Sequence, residues 1–398
     1  QAGIGGDAGE SGGTITINGG TIAARNDNNG AAGIGGGNEG AGGAITINGG
    51  TITASGGGGA AGIGGGLFGA GGTITINGGT VTAIGESGAG IGSGSFGSGG
   101  TITINGGTIT ATYTVLSSGI GAGSGGSNVT LEVHGNAFII ASSISAQTDK
   151  DTWSGVIFEG SAGQVYGNPI LETDAEIPGD KTLTILQDRT LTIGNGVTLT
   201  NNGSVDNHGT IQKNGMIINN GTIKNYGTVQ GNGAVEGNPI LYQSGTVVTF
   251  WKENSQVTEA SYGDTITIVA TMTQKAQSRA AGAKQVEFSV DGTVFATVDV
   301  ENENGQIVAK TQVTLTGDRW TASGSAYEIM ADFGGNDNLM AGTGIGQLKV
   351  MPINVQNATV ELSQTTFIYD GTAKTPDVIV KLGKATLTAG TDYEVDYK

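Results

Sequence analysis

The sequence contains no cysteine, which excludes disulfide bonds, a thiolate nucleophile and cysteine-ligated metal sites. Proline is scarce, with 5 residues, and aromatic residues make up only 5% of the 398-residue chain. Acidic residues outnumber basic ones 34 to 17, and the net charge of −17 argues against nucleic-acid binding, which needs a basic surface. No apolar run has the length of a membrane span, so we expect no direct membrane insertion.

Glycine is the residue in excess, and it is unevenly distributed. The first 128 residues contain 46 of the 77 glycines. A collagen helix is excluded because glycine does not recur at every third position. Disorder is disfavoured because β-branched residues recur at fixed positions. The composition therefore indicates an internal repeat.

A repeat of 28 to 30 residues runs through this first part of the chain. Each copy begins with one isoleucine of the set Ile4, Ile34, Ile63, Ile91 and Ile120. Further apolar residues follow at constant offsets of 11, 13 and 18, ending with Leu131, Val133 and Phe138 in the fifth copy. The text TITINGGTIT alternates with the period of a β-strand, and its NGG is typical of a tight corner. Each copy therefore predicts one turn of a right-handed parallel β-helix with isoleucine inside and threonine outside.

A polar column accompanies this repeat. At offset 14 stand Asn18, Asn48, Asn77, Asn105 and His134. Stacked amides at a corner form hydrogen bonds from one turn to the next, so the column predicts a structural ladder. No second histidine or carboxylate pair repeats beside His134, and we therefore interpret it as the end of the ladder rather than as a metal ligand.

A second repeat follows, with an apolar residue at every sixth position from Ile193 to Val235. Glycines from Gly203 to Gly233 mark the corners with the same period. Three such hexads make one turn of a solenoid. We assign residues 1–145 to a glycine-rich β-helix and residues 146–242 to its continuation with hexad repeats.

After residue 242 the sequence repeats of the solenoid end. Residues 243–352 predict a β-sandwich with strands near Val247–Phe250, Thr265–Met272, Val286–Val290, Thr293–Val298, Ile307–Leu315, Tyr327–Phe333 and Gly346–Val350. Residues 353–398 predict a further β unit with strands at Thr359–Leu362, Phe367–Tyr369 and Val378–Lys381. That unit is too short for a comfortable independent core.

Three groups of motifs resemble known families. AAGIGGG, GGTITINGGTIT and NNGTIKNYGTV resemble the glycine-rich β-helix modules of large Gram-positive surface proteins. EFSVDGTVFATV, with YEIMADFGGNDNLMAGTG, looks like a bacterial immunoglobulin-like (Ig-like) repeat domain, and FIYDGTAKTPDVIV and GTDYEVDY resemble a partial YDG-type repeat. The resemblance implies an all-β, monomeric segment of a larger protein, displayed on the bacterial surface or secreted.

We expect such a segment to be a non-enzymatic adhesin or stalk, with a β-helix face that binds a polysaccharide or a host-surface glycan. The candidate ligand contacts are the aromatic residues near the solenoid, Tyr113, Trp153, Tyr166 and Tyr226, each of which is equally suited to plug a loop or cap a turn. A pure spacer stays open as an alternative. So does ice binding by the threonine columns, although Ala44 and Glu132 interrupt these columns.

A polysaccharide lyase is the enzymatic alternative, because parallel β-helices include such enzymes. Lyase catalysis resembles a calcium-bound carboxylate cluster with a basic residue, but the acids of residues 1–140 share no repeat position and Arg25 is the only base there. We therefore expect no enzyme activity and no cofactor. Calcium stays open at Asp332, Asn336, Asp337 and Asn338, and Lys–Asn isopeptide bonds stay open at Lys284, Lys310 and Lys349.

Overall fold

The computed structural model describes residues 1–26, 30–274, 285–304, 306–322, 324–335, 339–352, 356, 358–382, 385–390 and 393–397. They form an all-β fold in two compact units, Gln1–Gln243 and Ser244–Lys398. Lys150–Thr152 and Asp318–Trp320 form single turns of 3-10 helix. The predicted fold class is confirmed: parallel stacked sheets that fit a right-handed β-helix precede a two-sheet sandwich and a small β module.

The first solenoid, residues 1–159, has five full turns of three strands. Turn by turn these are Ile4–Gly5 (β1), Thr14–Ile17 (β2), Thr21–Arg25 (β3), Ile34–Gly35 (β4), Ala44–Ile47 (β5), Thr51–Ser55 (β6), Ile63–Gly64 (β7), Thr73–Ile76 (β8), Thr80–Gly85 (β9), Ile91–Gly92 (β10), Ser98–Ile104 (β11), Thr108–Tyr113 (β12), Ile120–Gly121 (β13), Ser127–Val133 (β14) and Phe138–Ala141 (β15). Ile144–Ser145 (β16) and Gly155–Glu159 (β17) complete it.

Equivalent residues of successive turns pair in parallel and in register. Ile45 pairs with Ile74, and Thr46 pairs with Thr75. The isoleucines point into a continuous core and the threonines point outward, as the alternating sequence predicts. A Cβ on Gly64 would lie 1.9 Å from a carbonyl oxygen of the next turn, and the φ of Gly64 is +131°. The glycine after each leading isoleucine is therefore a steric requirement of stacking.

The fifth turn departs from the predicted register. Phe138 pairs with Thr108, and Ile139 pairs with Ile109. One additional residue in the preceding corner causes this shift, so the predicted inward position of Phe138 is wrong and Ile139 enters the core instead. Phe138 occupies the outward threonine column, yet it is only 2% exposed.

The second solenoid, residues 160–243, has shorter turns. Its strands are Ala162–Tyr166 (β18), Ile170–Leu171 (β19), Ala175–Ile177 (β20), Thr182–Ile185 (β21), Thr190–Ile193 (β22), Thr198–Asn201 (β23), Ser204–Asn207 (β24), Thr210–Lys213 (β25), Met216–Asn219 (β26), Thr222–Asn225 (β27), Thr228–Gln230 (β28), Val235–Gly237 (β29) and Ile240–Tyr242 (β30). Leu199 pairs with Ile217, which pairs with Val235, so one turn takes the predicted 18 residues.

A hairpin between β17 and β18 joins the two solenoids. These strands are antiparallel members of one 11-stranded sheet that runs from β3 to β30. Phe158 pairs with Gly163, and Gly163 pairs with Leu183, so the three residues share one face of that sheet. Ile157, on the other face, belongs to the first core, whereas Leu183 is buried in the second.

The core therefore changes from one face of the shared sheet to the other at this hairpin. Because strand direction reverses at the same point, the sense of winding is unchanged. The second solenoid begins on what was the outward face of the first. This placement explains why the outward-pointing Phe138 and Phe158 are buried, with ring centroids 5.8 Å apart.

The second unit contains the sandwich. Its strands are Ser244–Lys252 (β31), Ser255–Val257 (β32), Glu259–Ser261 (β33), Thr265–Gln274 (β34), Gln285–Val290 (β35), Thr293–Asp299 (β36), Glu301–Glu303 (β37), Gln306–Thr314 (β38), Tyr327–Phe333 (β39) and Gly342–Met351 (β40). One sheet has the order β32-β31-β34-β38-β37 and the other β33-β40-β39-β35-β36. Phe250, Ile268, Phe288 and Phe333 are buried in this unit.

A three-stranded antiparallel sheet of Thr359–Leu362 (β41), Val378–Leu382 (β42) and Ala385–Thr386 (β43) follows. The predicted strand Phe367–Tyr369 is wrong. Ile368 and Tyr369 are each 90% exposed, so no apolar neighbour holds this segment in a sheet. The next residue, Asp370, accepts hydrogen bonds from Lys374 and Thr372, which lower the pKa of its carboxyl to about 2.

Candidate functional site

A cleft of about 310 Å³ lies where the second solenoid begins on the outward face of the first. We call it the step groove. Thr108 Oγ1 lies 3.5 Å from Thr173 Oγ1, so the two solenoids meet directly at this place. The polar side chains that line the groove are Asn77, Thr80, Asn105, Thr108, Asn136, Glu172 and Thr173, with corner glycines between them.

The floor and end wall of the step groove are fixed by packing. Phe138 and Leu171 line it, and each is only 2% exposed. Asn136 Oδ1 accepts a hydrogen bond from the Ile170 backbone N–H at 2.9 Å, and its Nδ2 donates to Glu172 Oε1 at 3.1 Å. The segment that forms the wall is therefore held by one amide of the first solenoid.

The asparagine ladder runs along one edge of the step groove. Asn48 donates to Asn18, Asn77 to Asn48 and Asn105 to Asn77, each from Nδ2 to Oδ1 at 2.8 Å. His134 stands at the next corner, where its imidazole Nε2 lies 3.6 Å from Glu132. Because every amide donates toward the first turn, Asn105 accepts from no ladder asparagine. Asn105 and Asn77 are the two ladder residues that line the step groove.

The groove is rich in hydroxyl and amide groups and poor in charge. Glu172 is the one ionisable side chain among the described residues that line it. In the described part of the chain, no group of three or more His, Asp or Glu side chains is placed to hold a metal ion. The arrangement suits a ligand that both donates and accepts many hydrogen bonds.

The four predicted aromatic contacts do not form one site, and only Trp153 and Tyr166 contact each other. Trp153 is 3% exposed, its Nε1 donates to Thr148 Oγ1 at 2.7 Å, and its ring meets Tyr166 edge-on with centroids 5.2 Å apart. Burial raises the pKa of the Tyr166 phenol. In this position Trp153 and Tyr166 cap the core of the first solenoid. Capping a turn is the alternative to ligand contact that the sequence left open for these residues.

The other two aromatic candidates lie elsewhere. Tyr113 is half-buried at the end of β12. Tyr226 stacks on His208 of the preceding turn, with centroids 4.6 Å apart and planes 3° from parallel. None of the four predicted residues is among those that line the step groove.

Sequence reasoning missed an exposed pair of stacked rings. Phe68 and Phe96 are 56% and 62% exposed, with centroids 5.8 Å apart. Both have positive φ, 63° and 58°, at the same position of successive turns. The 28-residue spacing of these phenylalanines is the sequence signal that could have identified them. The two rings stack on one another, and the Phe96 ring also lies against Gly125 of the next turn, so the pair forms a column along the solenoid.

Sequence reasoning also missed Asn136, Glu172 and Thr173 of the step groove. The signal for them is indirect. Phe138 and Ile140 replace the threonines of their outward columns, and apolar outward residues predict that something covers that face.

The remaining predicted sites lie in the second unit. Asp332 accepts a hydrogen bond from Thr343 on the neighbouring strand, and Lys310 Nζ donates to Glu303 at 2.5 Å. Asn336, Asp337 and Asn338 lie outside the described residues, as does Lys284. Lys349 lies in β40 and is half-buried.

Comparison with protein families agrees with the observed architecture. Residues 15–38, 45–67 and 74–95 match the model of a β-helix repeat. These stretches coincide with turns of the first solenoid, so the chain contains a β-helix repeat. Such repeats occur in lyases and in non-enzymes.

The search of curated proteins gave no match. No solved structure matched either. No helix in the described ranges has the length and apolar character that a membrane span requires.

Proposed function

We propose that this chain is a non-catalytic, surface-displayed glycan-binding segment and that the step groove binds a neutral oligosaccharide. The observation that carries the proposal is the lining of the groove, in which three asparagine amides and three threonine hydroxyls converge on a cleft of about 310 Å³. This volume lies in the range of small-molecule sites. Saccharide hydroxyls need donors and acceptors together, which amides and hydroxyls supply.

The charge of the groove favours a neutral glycan over an acidic one. Glu172 is exposed at the wall, and no cation is present among the described lining residues. A uronic acid or sulfated sugar would meet like charge with no counter-ion. The overall charge of −17 adds to this repulsion at low salt.

Binding is favoured over cleavage by the same lining. Glycoside hydrolysis uses two carboxyl groups on opposite sides of the scissile bond. The described lining of the step groove has one carboxylate and no basic side chain. The continuous 11-stranded sheet supports a second function, that of a stiff spacer which holds the groove away from the cell surface.

The test is binding of the full chain to neutral hexaoses of the cello, xylo, manno and chito series and to one polyuronate, with and without calcium. Thr80→Tyr places a ring in the groove, whereas Thr51→Tyr makes the same change one turn away in the same outward column, outside the lining. We expect saturable binding of one neutral series, weakened at least about tenfold by Thr80→Tyr and unchanged by Thr51→Tyr.

Other outcomes decide between the alternatives. Failure of every oligosaccharide to bind would leave the spacer as the function of this chain. Calcium-dependent release of shortened products would support the lyase. Equal weakening by Thr80→Tyr and Thr51→Tyr would place the site on the general threonine face rather than in the step groove.

A further inference from the structure

The second unit carries a cleft of about 430 Å³ on the outward face of β31, β34 and β38. Val269 and Val308 line its floor, Trp251 stands on one side, and Glu303 and Lys310 stand on the other. Phe250 and Ile268 alternate with cleft residues and point into the sandwich, so the cleft belongs to the side of the sheet away from its core. We call it the Trp251 cleft.

Trp251 is placed differently from the other tryptophans. Trp153 and Trp320 are each 3% exposed, whereas Trp251 is half-buried. Its indole Nε1 donates to Thr249 Oγ1 at 3.1 Å, which fixes the orientation of the ring on the sheet. A large apolar ring face thus stands beside the cleft without being used by the core.

The polar groups around the ring are those that recognise hydroxyls. Thr249, Thr267 and Thr271 line the cleft on neighbouring strands. Lys310 Nζ donates to Glu303 Oε1 at 2.5 Å, and each side chain of this pair is 42% exposed. The ammonium therefore retains donors and the carboxylate retains acceptors, and bonds from charged groups to a hydroxyl are stronger than neutral ones.

We propose that the Trp251 cleft is a second saccharide site, in which the apolar face of a neutral sugar packs on the indole while its hydroxyls bond to the threonines and to the Glu303–Lys310 pair. The proposal stands independently of the step groove, because the two sites lie in separate units.

Size and geometry favour this occupant over a peptide or protein. β34, which carries Thr267, Val269 and Thr271 of the cleft, is paired with β31 on one side and with β38 on the other, so a peptide could not add to it as a further strand. A stable protein partner buries about 800 Å² on each side, far more than such a cleft provides. The Glu303–Lys310 pair is neutral and Glu253 adds a negative charge, which disfavours an acidic ligand.

The test uses intrinsic fluorescence of the full chain in the Thr80→Tyr background, where the step groove is filled. Acrylamide quenching there reports chiefly Trp251, because Trp153 and Trp320 are buried. We expect one neutral hexaose of the panel to reduce the quenching slope saturably. Lys310→Met should weaken this protection about tenfold, the loss of one charge-assisted hydrogen bond. Lys381→Met, at another exposed ion pair, should leave it unchanged.

Two results would overturn the proposal. One is an unchanged quenching slope at saturating concentrations of every hexaose. The other is protection by tetramethylammonium but by no sugar, which would make the cleft a cation site. Failure of the step groove gives a distinct pattern, in which Thr80→Tyr changes no binding while the fluorescence response to the sugar persists.

Discussion

The two solenoids use the same side-chain ladder in opposite places. In the first, the Asn18–Asn105 amides lie on the outside and the core consists of isoleucine and alanine. In the second, Asn201 Nδ2 donates to Asn219 Oδ1 at 2.8 Å, and both side chains are fully buried. The inward amides also reach backbone carbonyls, such as Asn219 Nδ2 to the Asn238 oxygen at 2.8 Å.

The difference shows how turn length decides what fills a core. Turns of 28 to 30 residues hold a core of stacked isoleucines. In the 18-residue turns, inward amides lie within hydrogen-bond distance of backbone carbonyls, such as Asn207 Nδ2 and the Thr228 oxygen at 3.0 Å. Those carbonyls need donors, and inward amides supply them. At the third corner Lys213 Nζ does so, donating to Gly231 and Gly233 oxygens at 2.7 and 2.6 Å.

The largest predicted effect comes from a substitution in the hairpin of β17 and β18, where the core changes from one face of the shared sheet to the other. A Cβ on Gly163 would lie 2.3 Å from the Phe158 ring, so Gly163→Ala should destabilise the protein by about 3 kcal/mol through overpacking. Gly19→Ala is the control, because a Cβ there meets nothing within 4 Å. Urea unfolding followed by circular dichroism measures both. Similar urea midpoints of unfolding for the two variants would mean that the Phe158 ring does not pack directly against Gly163.

The next prediction compares the ladders directly. Asn219→Ala removes a buried amide with partners on both sides and should cost about 2–3 kcal/mol, because its neighbours lose hydrogen bonds away from water. Asn77→Ala removes an exposed amide with the same bond lengths and should cost no more than about 1 kcal/mol, because water replaces its partners. Equal losses in urea unfolding would contradict the assigned difference in burial.

A smaller effect concerns the tyrosines that close the two cores. Burial raises the pKa of Tyr166 in the cap of the first solenoid and of Tyr242 in the last strand of the second. A pKa that is raised on folding adds stability below the unfolded value of about 10, and this contribution is lost as pH rises through the folded value. We therefore expect stability to fall above pH of about 10. Tyr166→Phe and Tyr242→Phe should each flatten that fall in urea unfolding measured against pH.

The smallest predicted effect has the opposite sign. Glu39 in the first solenoid and Asp188 in the second have φ of 65° and 66°. Glycine relieves this backbone strain but loses more conformational entropy on folding. Glu39→Gly should therefore raise the free energy of unfolding by about 0.5 kcal/mol. Asp188→Gly should gain less, because aspartate tolerates the left-handed region better. Calorimetric melting temperatures measure both, and a loss of stability in Glu39→Gly would show that its side chain makes a stabilising contact.

Much of the solenoid is predictable because stacking imposes a local rule on each turn. Alternating isoleucine and threonine, with glycine at fixed positions, determines which side chains point inward in strands such as β5 and β8. The register of Phe138 fails because a single residue in a corner shifts the face of every later side chain in that strand. The buried asparagines were also missed, since hydrophobic periodicity does not reveal a polar residue that points inward.

The step groove is less predictable because it depends on contacts distant in sequence. It forms from Thr80 and Thr108 of the first solenoid and Thr173 of the second. The change of core face that brings them together follows from the pairing of β17 with β18. Aromatic residues were poor guides to the site, since Trp153 has both a buried ring and a satisfied Nε1.

The proposed binding of a neutral glycan where the two solenoids meet can be located on the molecule residue by residue. The measurement is backbone amide chemical-shift mapping of the full chain, saturated with the neutral oligosaccharide that binds. We expect Gly79, Gly107 and Thr173 to shift among the most strongly in the solenoid unit, and Thr21, two turns away from Thr80 in the same column, to be unaffected. Shifts spread evenly along the threonine columns, or their absence from the step groove in the presence of bound sugar, would contradict it.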